Sequence, residues 1–85
     1  MKASLDISMY PLDKDYTQPI LDFIERMQSY QNLSVKTNSL STHIFGEYDE
    51  LMTAVSTEMK ISFEKDQKIV TVLKIINADR EHEGL

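Results

Sequence analysis

The sequence has no cysteine and only two glycines and two prolines among its 85 residues. The absence of cysteine excludes disulfide bonds, thiolate metal sites and cysteine nucleophiles. Two glycines are too few for a glycine-rich phosphate loop, and neither an HExxH motif nor a Gly-x-Ser-x-Gly elbow occurs. The two histidines, His43 and His82, do not stand out as a base with a matching orienting group. We therefore predict a protein that is not an enzyme, with no catalytic residues, no metal site and no cofactor.

Basic residues are also scarce, since 9 Lys and Arg oppose 14 Asp and Glu and give a formal net charge of -5. Binding to phosphates requires clustered basic residues, so this balance argues against a nucleic-acid partner and against adsorption to an anionic membrane. The longest apolar run, Ile69 to Ile76, is far shorter than the roughly 20 residues of a membrane span. Residues 1–6 lack the apolar stretch of a signal peptide. We expect no nucleic-acid partner, no membrane partner and a cytoplasmic location.

The length and composition suit one small globular domain. A chain of 85 residues buries about three-fifths of its unfolded surface, so a second core is not expected. Hydrophobic residues make up 41% of the sequence and charged residues 27%, which is an ordinary globular balance. We predict a single domain over residues 1–78, followed by a polar C-terminal tail over residues 79–85.

Apolar and polar residues alternate with period two at the start of the chain, which predicts a strand with one apolar face. Further strands are predicted at residues 33–37, 40–45 and 68–76, with a hairpin turn at Asn38 and Ser39. The apolar side of the first strand comprises Ala3, Leu5, Ile7 and Met9, and its polar side comprises Lys2, Ser4, Asp6, Ser8 and Tyr10.

Two amphipathic helices are predicted between the strands. The first has Thr17 or Gln18 as its N-cap and Pro19 in its first turn, where a missing N–H costs nothing. The second begins at the acidic run 47–50, which the positive end of the helix dipole favours, and a charged turn over residues 64–67 follows it. The predicted apolar stripes are Ile20, Leu21, Phe23, Ile24 and Met27 in the first helix and Leu51, Met52, Val55, Met59 and Phe63 in the second.

The order strand, helix, strand, strand, helix, strand predicts an α+β protein with the ferredoxin-like βαββαβ fold. In this fold a four-stranded antiparallel sheet carries both helices on one face. Right-handed crossovers place the first and third strands in the centre of the sheet and the second and fourth at its edges.

The sheet face that the helices leave open is too apolar for a monomer. The last strand is apolar on both sides, so one apolar set must remain on the open face, and such a patch marks an association surface. We therefore expect a homodimer or homotetramer that packs partly through sheet faces. The two sets are Ile69, Leu73 and Ile75 on one side and Val70, Val72 and Ile76 on the other.

Asp6, on the polar side of the first strand, is expected to face the same surface. An acid on a central strand beside an apolar interface needs a partner. Two interpretations stay open. Asp6 pairs with Lys74 or remains hydrated at the rim of the interface, or it contacts a ligand.

The most specific local segment, Ser39 to Met52, leads from a strand into an acidic helix start through Gly46-Glu47-Tyr48-Asp49-Glu50-Leu51-Met52. It closely resembles the corresponding stretch of the YkoF-like thiamine-binding protein family, a group of short bacterial and archaeal proteins. The first strand that ends near a proline, the length of the first helix, and an apolar last strand carrying Lys74 before Asp79 and Arg80 are similar as well. The resemblance covers nearly the whole chain.

The resemblance implies a cytoplasmic ferredoxin-like subunit that forms dimers and often tetramers and binds thiamine or its hydroxymethylpyrimidine moiety. Some family members hold two such units in one chain; here the second unit would come from a partner subunit. Family sites lie near the strand that leads into the Gly-Glu motif, and Thr42 matches a position that is usually Thr. This sequence has Asn38 and Ser39 where the family commonly has Gly-Pro.

The side chains near these positions suit such a ligand. An aminopyrimidine offers an amine donor and ring-nitrogen acceptors, and a thiazolium ring carries a positive charge. A carboxylate can accept from the amine or offset the charge, hydroxyls can bond to the ring edge, and an aromatic ring can stack on its face. The predicted ligand site, at or near the subunit interface, comprises Asp6, Ser8, Tyr10, Ser41, Thr42, Phe45 and Lys74.

Two alternatives remain. Ser41 and Thr42 could belong to a hairpin that satisfies its own hydrogen bonds. The protein as a whole could be a ligand-free structural or regulatory module, in which the open sheet face serves only for assembly.

Overall fold

The computed structural model describes residues 1–65 and 68–82. The four strands form one antiparallel sheet in the order β2-β3-β1-β4. The predicted ferredoxin-like fold is confirmed, and so is the placement of the first and third strands at the centre of the sheet. The elements are β1 (Lys2–Pro11), α1 (Thr17–Gln28), β2 (Ser34–Thr37), β3 (Thr42–Glu47), α2 (Tyr48–Glu64) and β4 (Ile69–Ile76).

The core lies between the two helices and the central strands. In β1 the alternate residues predicted to be apolar face the helices, and all four are buried. The helices pack over β1, β2 and β3, with α1 on β1 and β2 and α2 on β1 and β3. The largest fully buried side chains are Phe23, Met27, Ile44, Leu51 and Val55.

A cluster of polar side chains joins the two helices. Arg26 of α1 donates from Nε to Glu58 Oε1 at 2.8 Å and from Nη2 to Ser62 Oγ at 2.7 Å. The Tyr30 hydroxyl donates to Glu58 Oε2 at 2.7 Å, and this hydrogen bond raises the pKa of Tyr30 above its usual value. Because every member of the cluster has a partner, the helix interface can bury a carboxylate.

This cluster explains one difference from the predicted apolar stripes. Phe63 is exposed, while Glu58 and Ser62 are buried on the inner side of α2, because Arg26 supplies the hydrogen bonds that make their burial possible. In α1, Leu21 of the predicted stripe is also exposed.

The start of α1 also differs from the prediction. Tyr16 occupies the N-cap position and makes no side-chain cap bond. The Asp15 carboxylate accepts from the Gln18 N–H at 3.3 Å. The predicted capping role of Thr17 or Gln18 is therefore wrong.

Strand β4 is covered by neither helix over most of its length. On its helix side, Leu73 and Ile75 are 37% and 47% exposed, although they pair with buried residues of β1. On its other side, Val70 and Val72 are each 49% exposed. Since β4 is also an edge strand of the sheet, both of its faces and its outer edge are uncovered in the isolated chain.

Residues 77–82 turn back across one end of the open sheet face. Ser4 Oγ on β1 donates to the Ala78 carbonyl at 2.7 Å and accepts from the Arg80 N–H at 2.8 Å. Glu81 accepts a hydrogen bond from the Ser34 hydroxyl, which lowers the pKa of its carboxyl group. Residues 79–82 of the predicted polar tail therefore lie against the sheet. Residues 83–85 of that tail, and residues 66–67 of the predicted charged turn, lie outside the described residues.

In the described part of the chain, neither helix has the length and apolar character that crossing a membrane requires.

Replacing Glu58 with Gln is expected to lower the free energy of unfolding by about 2–3 kcal/mol, because the Arg26 guanidinium stays partly buried without its anionic partner. The expected loss of stability is smaller than for a fully buried ion pair because the Arg26 side chain is 23% exposed. Chemical denaturation followed by circular dichroism measures it. The control is Glu64→Gln at the exposed end of α2, which should stay within about 0.5 kcal/mol of the wild type. Equal stability of Glu58→Gln and wild type would contradict this account of the helix interface.

Candidate functional site

The open face of the sheet carries a row of polar side chains because alternate residues of β1 point away from the helices. Asp6 lies near the middle of this row. The strand register places His43 of β3 on one side of Asp6 and Lys74 of β4 on the other. Two residues away, Ser4 pairs with Phe45 and Ile76. The central position of β1 thus brings charged and apolar groups from three strands together.

A pocket of about 400 Å³ lies around Asp6 on this face, and we call it the open-face pocket. Phe45 and Ile76 give it apolar walls, while Asp6, His43 and Lys74 give it polar ones. Its volume falls within the range of small-molecule sites, roughly 300–1,000 Å³. The pocket is large enough for a ligand of one or two rings.

The Asp6 carboxylate is incompletely satisfied. Its Oδ1 atom is buried and accepts no hydrogen bond from any residue that the structure describes. His43 Nε2 lies 3.4 Å from Oδ1, within ion-pair distance but not aligned for a hydrogen bond, and Lys74 Nζ lies 3.9 Å from Oδ2. A buried acceptor without a donor is unfavourable. The open-face pocket is therefore lined by a carboxylate that the described residues leave incompletely satisfied.

The structure divides the seven predicted site residues. Asp6, Phe45 and Lys74 line the open-face pocket. A second cavity of about 320 Å³ lies between α1 and the β2–β3 turn, and we call it the hairpin cavity. Three more of the predicted residues line it. Tyr10 lines neither cavity and is exposed near the end of β1. The predicted site residues that line the hairpin cavity are Ser8, Ser41 and Thr42.

Thr42 faces the helices rather than the open face. It pairs with buried Ile7 and with Thr37, and its own side chain is buried. Its hydroxyl lies 3.3 Å from Thr37 Oγ1. The structure therefore does not bring Thr42 together with Asp6.

The β2–β3 turn is longer than predicted. Asn38 Oδ1 accepts from the backbone N–H groups of Leu40 at 2.7 Å and Ser41 at 3.0 Å, so these two residues belong to the turn and β3 begins at Thr42. This side-chain bond is typical of an Asx turn. The predicted hairpin at Asn38 and Ser39 is confirmed, and the predicted start of the third strand at residue 40 is wrong.

The sequence-based prediction omitted His43 and Arg80, which both line the open-face pocket. The alternation of side chains along β3 could have indicated His43, because His43 lies on the same side of the strand as Phe45. Arg80 gave no comparable signal, since its position depends on the turn of residues 77–82 across the sheet. The backbone bond from Arg80 to Ser4 Oγ holds that turn in place.

Asp79, Glu81 and His82 form a cluster whose possible ligand atoms lie within 4.8 Å of one another. These groups already have partners within the chain. His82 Nδ1 lies 3.0 Å from Asp79 Oδ2, and this hydrogen bond lowers the pKa of Asp79. Ser34 donates to Glu81. We assign no metal to this cluster.

The fold and the open-face pocket define a small ferredoxin-like α+β protein with a ligand-sized depression on its uncovered sheet face. The sequence profile of the thiamine-binding protein family matches residues 5–84. The chain belongs to this family, and the resemblance noted in the sequence is confirmed.

Solved structures agree with this fold. A hypothetical protein of Methanocaldococcus jannascii superposes with a TM-score of 0.78 and 25% identity, over 92% of this chain and 81% of that one. A “putative thiamine biosynthesis/salvage protein” of Thermotoga maritima gives a TM-score of 0.81 and 22% identity, over 92% and 85%. A domain of unknown function from Bacillus cereus gives 0.76 and 20% identity, over 93% and 78%. The comparison with curated proteins found no significant match.

Asp6→Asn is expected to keep the free energy of unfolding of the ligand-free protein within about 1 kcal/mol of the wild-type value, or to raise it. The reason is that the carboxylate is partly desolvated while its Oδ1 atom has no donor. Thermal and chemical denaturation measure the change, with Lys74→Gln as the control for the exposed cation. A large loss of stability would instead support the interpretation of Asp6 as a structural ion-pair partner.

Proposed function

We propose that the protein binds thiamine or its hydroxymethylpyrimidine moiety in the open-face pocket and does not transform it. The observation that carries this proposal is the buried Asp6 Oδ1 atom without a donor, at a ligand-sized pocket, in a member of the thiamine-binding family. The exocyclic amine of an aminopyrimidine is a donor that matches this acceptor. We propose a cytoplasmic role for this binding.

The pocket walls fit the remaining parts of such a ligand. Phe45 offers an aromatic surface against which a flat ring can pack, and Ile76 lies beside it. The His43 ring contacts the Phe45 ring edge-on, with 6.3 Å between the ring centroids. This contact helps to hold the Phe45 ring in its orientation. The Asp6 carboxylate also offsets the positive charge of a thiazolium ring.

A binding role without catalysis is supported by the geometry of the Ser41–His43–Asp6 group. These residue types occur in catalytic triads, where the serine and the acid meet opposite nitrogens of the histidine ring. Here Ser41 Oγ lies 3.3 Å and Asp6 Oδ1 3.4 Å from the same atom, His43 Nε2. The histidine therefore cannot pass a proton between them in the manner of a triad. Ser4, which does line the open-face pocket, is bonded to the backbone of residues 78 and 80.

We further propose that the pocket lies at a contact between copies of the chain in a homodimer or homotetramer. Lys74 and Ile76 of β4 line the pocket, and the same strand exposes apolar side chains on both faces. A second copy that covers β4 would exclude water from the apolar side of the pocket. Water exclusion strengthens a hydrogen bond to Asp6.

The second candidate function is a ligand-free structural or regulatory module. The uncovered faces of β4 favour it, because they call for a protein partner whether or not a small molecule is bound. Under this function, the Asp6→Ala and Thr42→Ala variants would respond to small molecules in the same way as the wild type.

Titration calorimetry with thiamine and with hydroxymethylpyrimidine tests the proposed function. Asp6→Asn is expected to weaken binding roughly 10- to 100-fold, because a hydrogen bond to a charged acceptor contributes about 1.5–3 kcal/mol. Asp49→Asn, in the exposed first turn of α2, is the matched control and should bind like the wild type. Absence of both heat and a thermal shift at millimolar concentrations of either compound rejects the proposal.

Val72→Lys is expected to shift the protein toward the monomer, because it puts a charge into the apolar open face of β4. Sedimentation velocity measures the distribution, and circular dichroism checks that the variant is folded. Thr57→Lys, on the exposed side of α2, is the control for added charge. If Val72→Lys remains fully assembled, this part of β4 is not in the interface.

A further inference from the structure

The charge of the open-face pocket is opposite in sign to that of the chain. The chain has a formal net charge of -5. Among the described residues, the pocket is lined by two basic side chains, Lys74 and Arg80, and by one acidic side chain, Asp6. His43 adds a fourth titratable group. The pocket is therefore a locally basic region of an acidic protein, and such a region attracts an anionic group.

Lys74 is only partly engaged by its acidic neighbour. Its Nζ atom lies 3.9 Å from Asp6 Oδ2, which is within ion-pair distance but too long for a hydrogen bond. An ammonium group has three N–H donors, and the Lys74 side chain is 80% exposed. The register keeps this group beside Asp6, because the two residues are paired across β1 and β4. Lys74 can therefore donate to an acceptor of a ligand without leaving Asp6.

Arg80 reaches the pocket from a different element, the turn of residues 77–82. Its backbone N–H donates to Ser4 Oγ at 2.8 Å, and the same hydroxyl donates to the Ala78 carbonyl at 2.7 Å. These two bonds fix the backbone of the turn at the Ser4 end of the pocket, where the Arg80 side chain forms part of the lining. A guanidinium group offers a planar set of N–H donors that matches two oxygens of a phosphate.

The acidic side chains of the same turn interact with other groups. Glu81 Oε2 lies 3.4 Å from Lys36 Nζ, and Asp79 Oδ2 lies 3.0 Å from His82 Nδ1. Neither acid lines the open-face pocket. The acids of the turn therefore do not cancel the positive charge of the pocket lining.

The basic side chains and Asp6 match two neighbouring substituents of one ring. In hydroxymethylpyrimidine, the exocyclic amine and the hydroxymethyl group are bonded to adjacent ring carbons. A ring that packs against Phe45 and donates from its amine to Asp6 can therefore place the hydroxymethyl oxygen near Lys74. A neutral hydroxyl at this position leaves the basic side chains partly covered without an anion, which is unfavourable. A phosphate ester on the same oxygen supplies the anion.

We propose that the open-face pocket selects the phosphorylated form of its ligand, a phosphate monoester beside the aminopyrimidine ring, and that Lys74 and Arg80 bind the phosphate. The inference rests on the proposed function and adds to it the chemical class of the ligand. A phosphate monoester has a charge of about -1.5 to -2 at pH 7, which two basic side chains balance, whereas a carboxylate would balance only one of them.

Titration calorimetry with three probes measures the contribution of the phosphate. The probes are hydroxymethylpyrimidine, its phosphate monoester and inorganic phosphate. The monoester is expected to bind at least about tenfold more tightly than the unphosphorylated compound at low salt, because charge-assisted hydrogen bonds are added. Added salt is expected to reduce this ratio, since it screens the attraction between exposed charges. Inorganic phosphate at millimolar concentration is expected to compete with the monoester.

Arg80→Gln removes the guanidinium group and keeps the backbone N–H that bonds to Ser4. It is expected to weaken binding of the monoester by about tenfold and to leave the affinity for the unphosphorylated compound unchanged. Lys74→Gln is expected to act in the same direction, so the result does not depend on one variant. Lys60→Gln, on the exposed side of α2, removes an equal charge and is the matched control. Circular dichroism checks that each variant is folded.

The outcomes separate this inference from the proposed function. Equal affinities for the two pyrimidines overturn the selection of the phosphorylated form, and the proposed function stands. Tighter binding of the monoester that neither Arg80→Gln nor Lys74→Gln reduces overturns the roles of these two residues. Binding of the monoester alone supports the inference and removes unphosphorylated hydroxymethylpyrimidine from the proposed function. If neither pyrimidine binds, the inference is overturned, and the titration with thiamine decides the proposed function.

Discussion

Two helices are too few to cover all four strands of the sheet, and this determines which apolar side chains stay exposed. The helices pack over β1, β2 and β3, because the Arg26–Glu58 cluster ties them to each other and their buried side chains meet the central strands. β4 is left at the margin of the core with apolar residues on both sides. An uncovered strand of this composition calls for a partner surface, and it also forms one wall of the open-face pocket. Under the proposed function, assembly and ligand binding would therefore be linked through the same strand.

The alternation of side chains in β1 places apolar residues on the helix side of the sheet and polar residues on its open face. The odd-numbered positions build the core, and the even-numbered ones place Asp6 between His43 of β3 and Lys74 of β4. Beyond its pair with Thr42, the first residue of β3, β1 passes from a paired to an unpaired edge and borders an uncharged cavity. One strand thus separates a charged environment from an uncharged one within the length of a few residues.

The sequence predicted the fold because its signals are local. Alternation in β1, the acidic start of α2 and the β-branched run of β4 each indicate one element, and their order selects the topology. The candidate site was predicted in part. Asp6, Phe45 and Lys74 share a pocket because strand parity and register follow from the pattern. Thr42 lies apart because it is an odd number of residues from Phe45, so it falls on the opposite side of β3 and faces the helices. The buried pair of Glu58 and Arg26 was missed because it depends on a contact between distant helices.

The turn of residues 77–82 has a geometric consequence for any sheet that stacks on the open face. Fastened to Ser4 and Ser34, these residues stand above the plane of the strands at one end, while the Val70 and Val72 end is bare. In the proposed assembly, a copy stacked on this face could not contact both ends of the sheet equally closely. The two layers would be farther apart at the Ser4 end, which adjoins the open-face pocket.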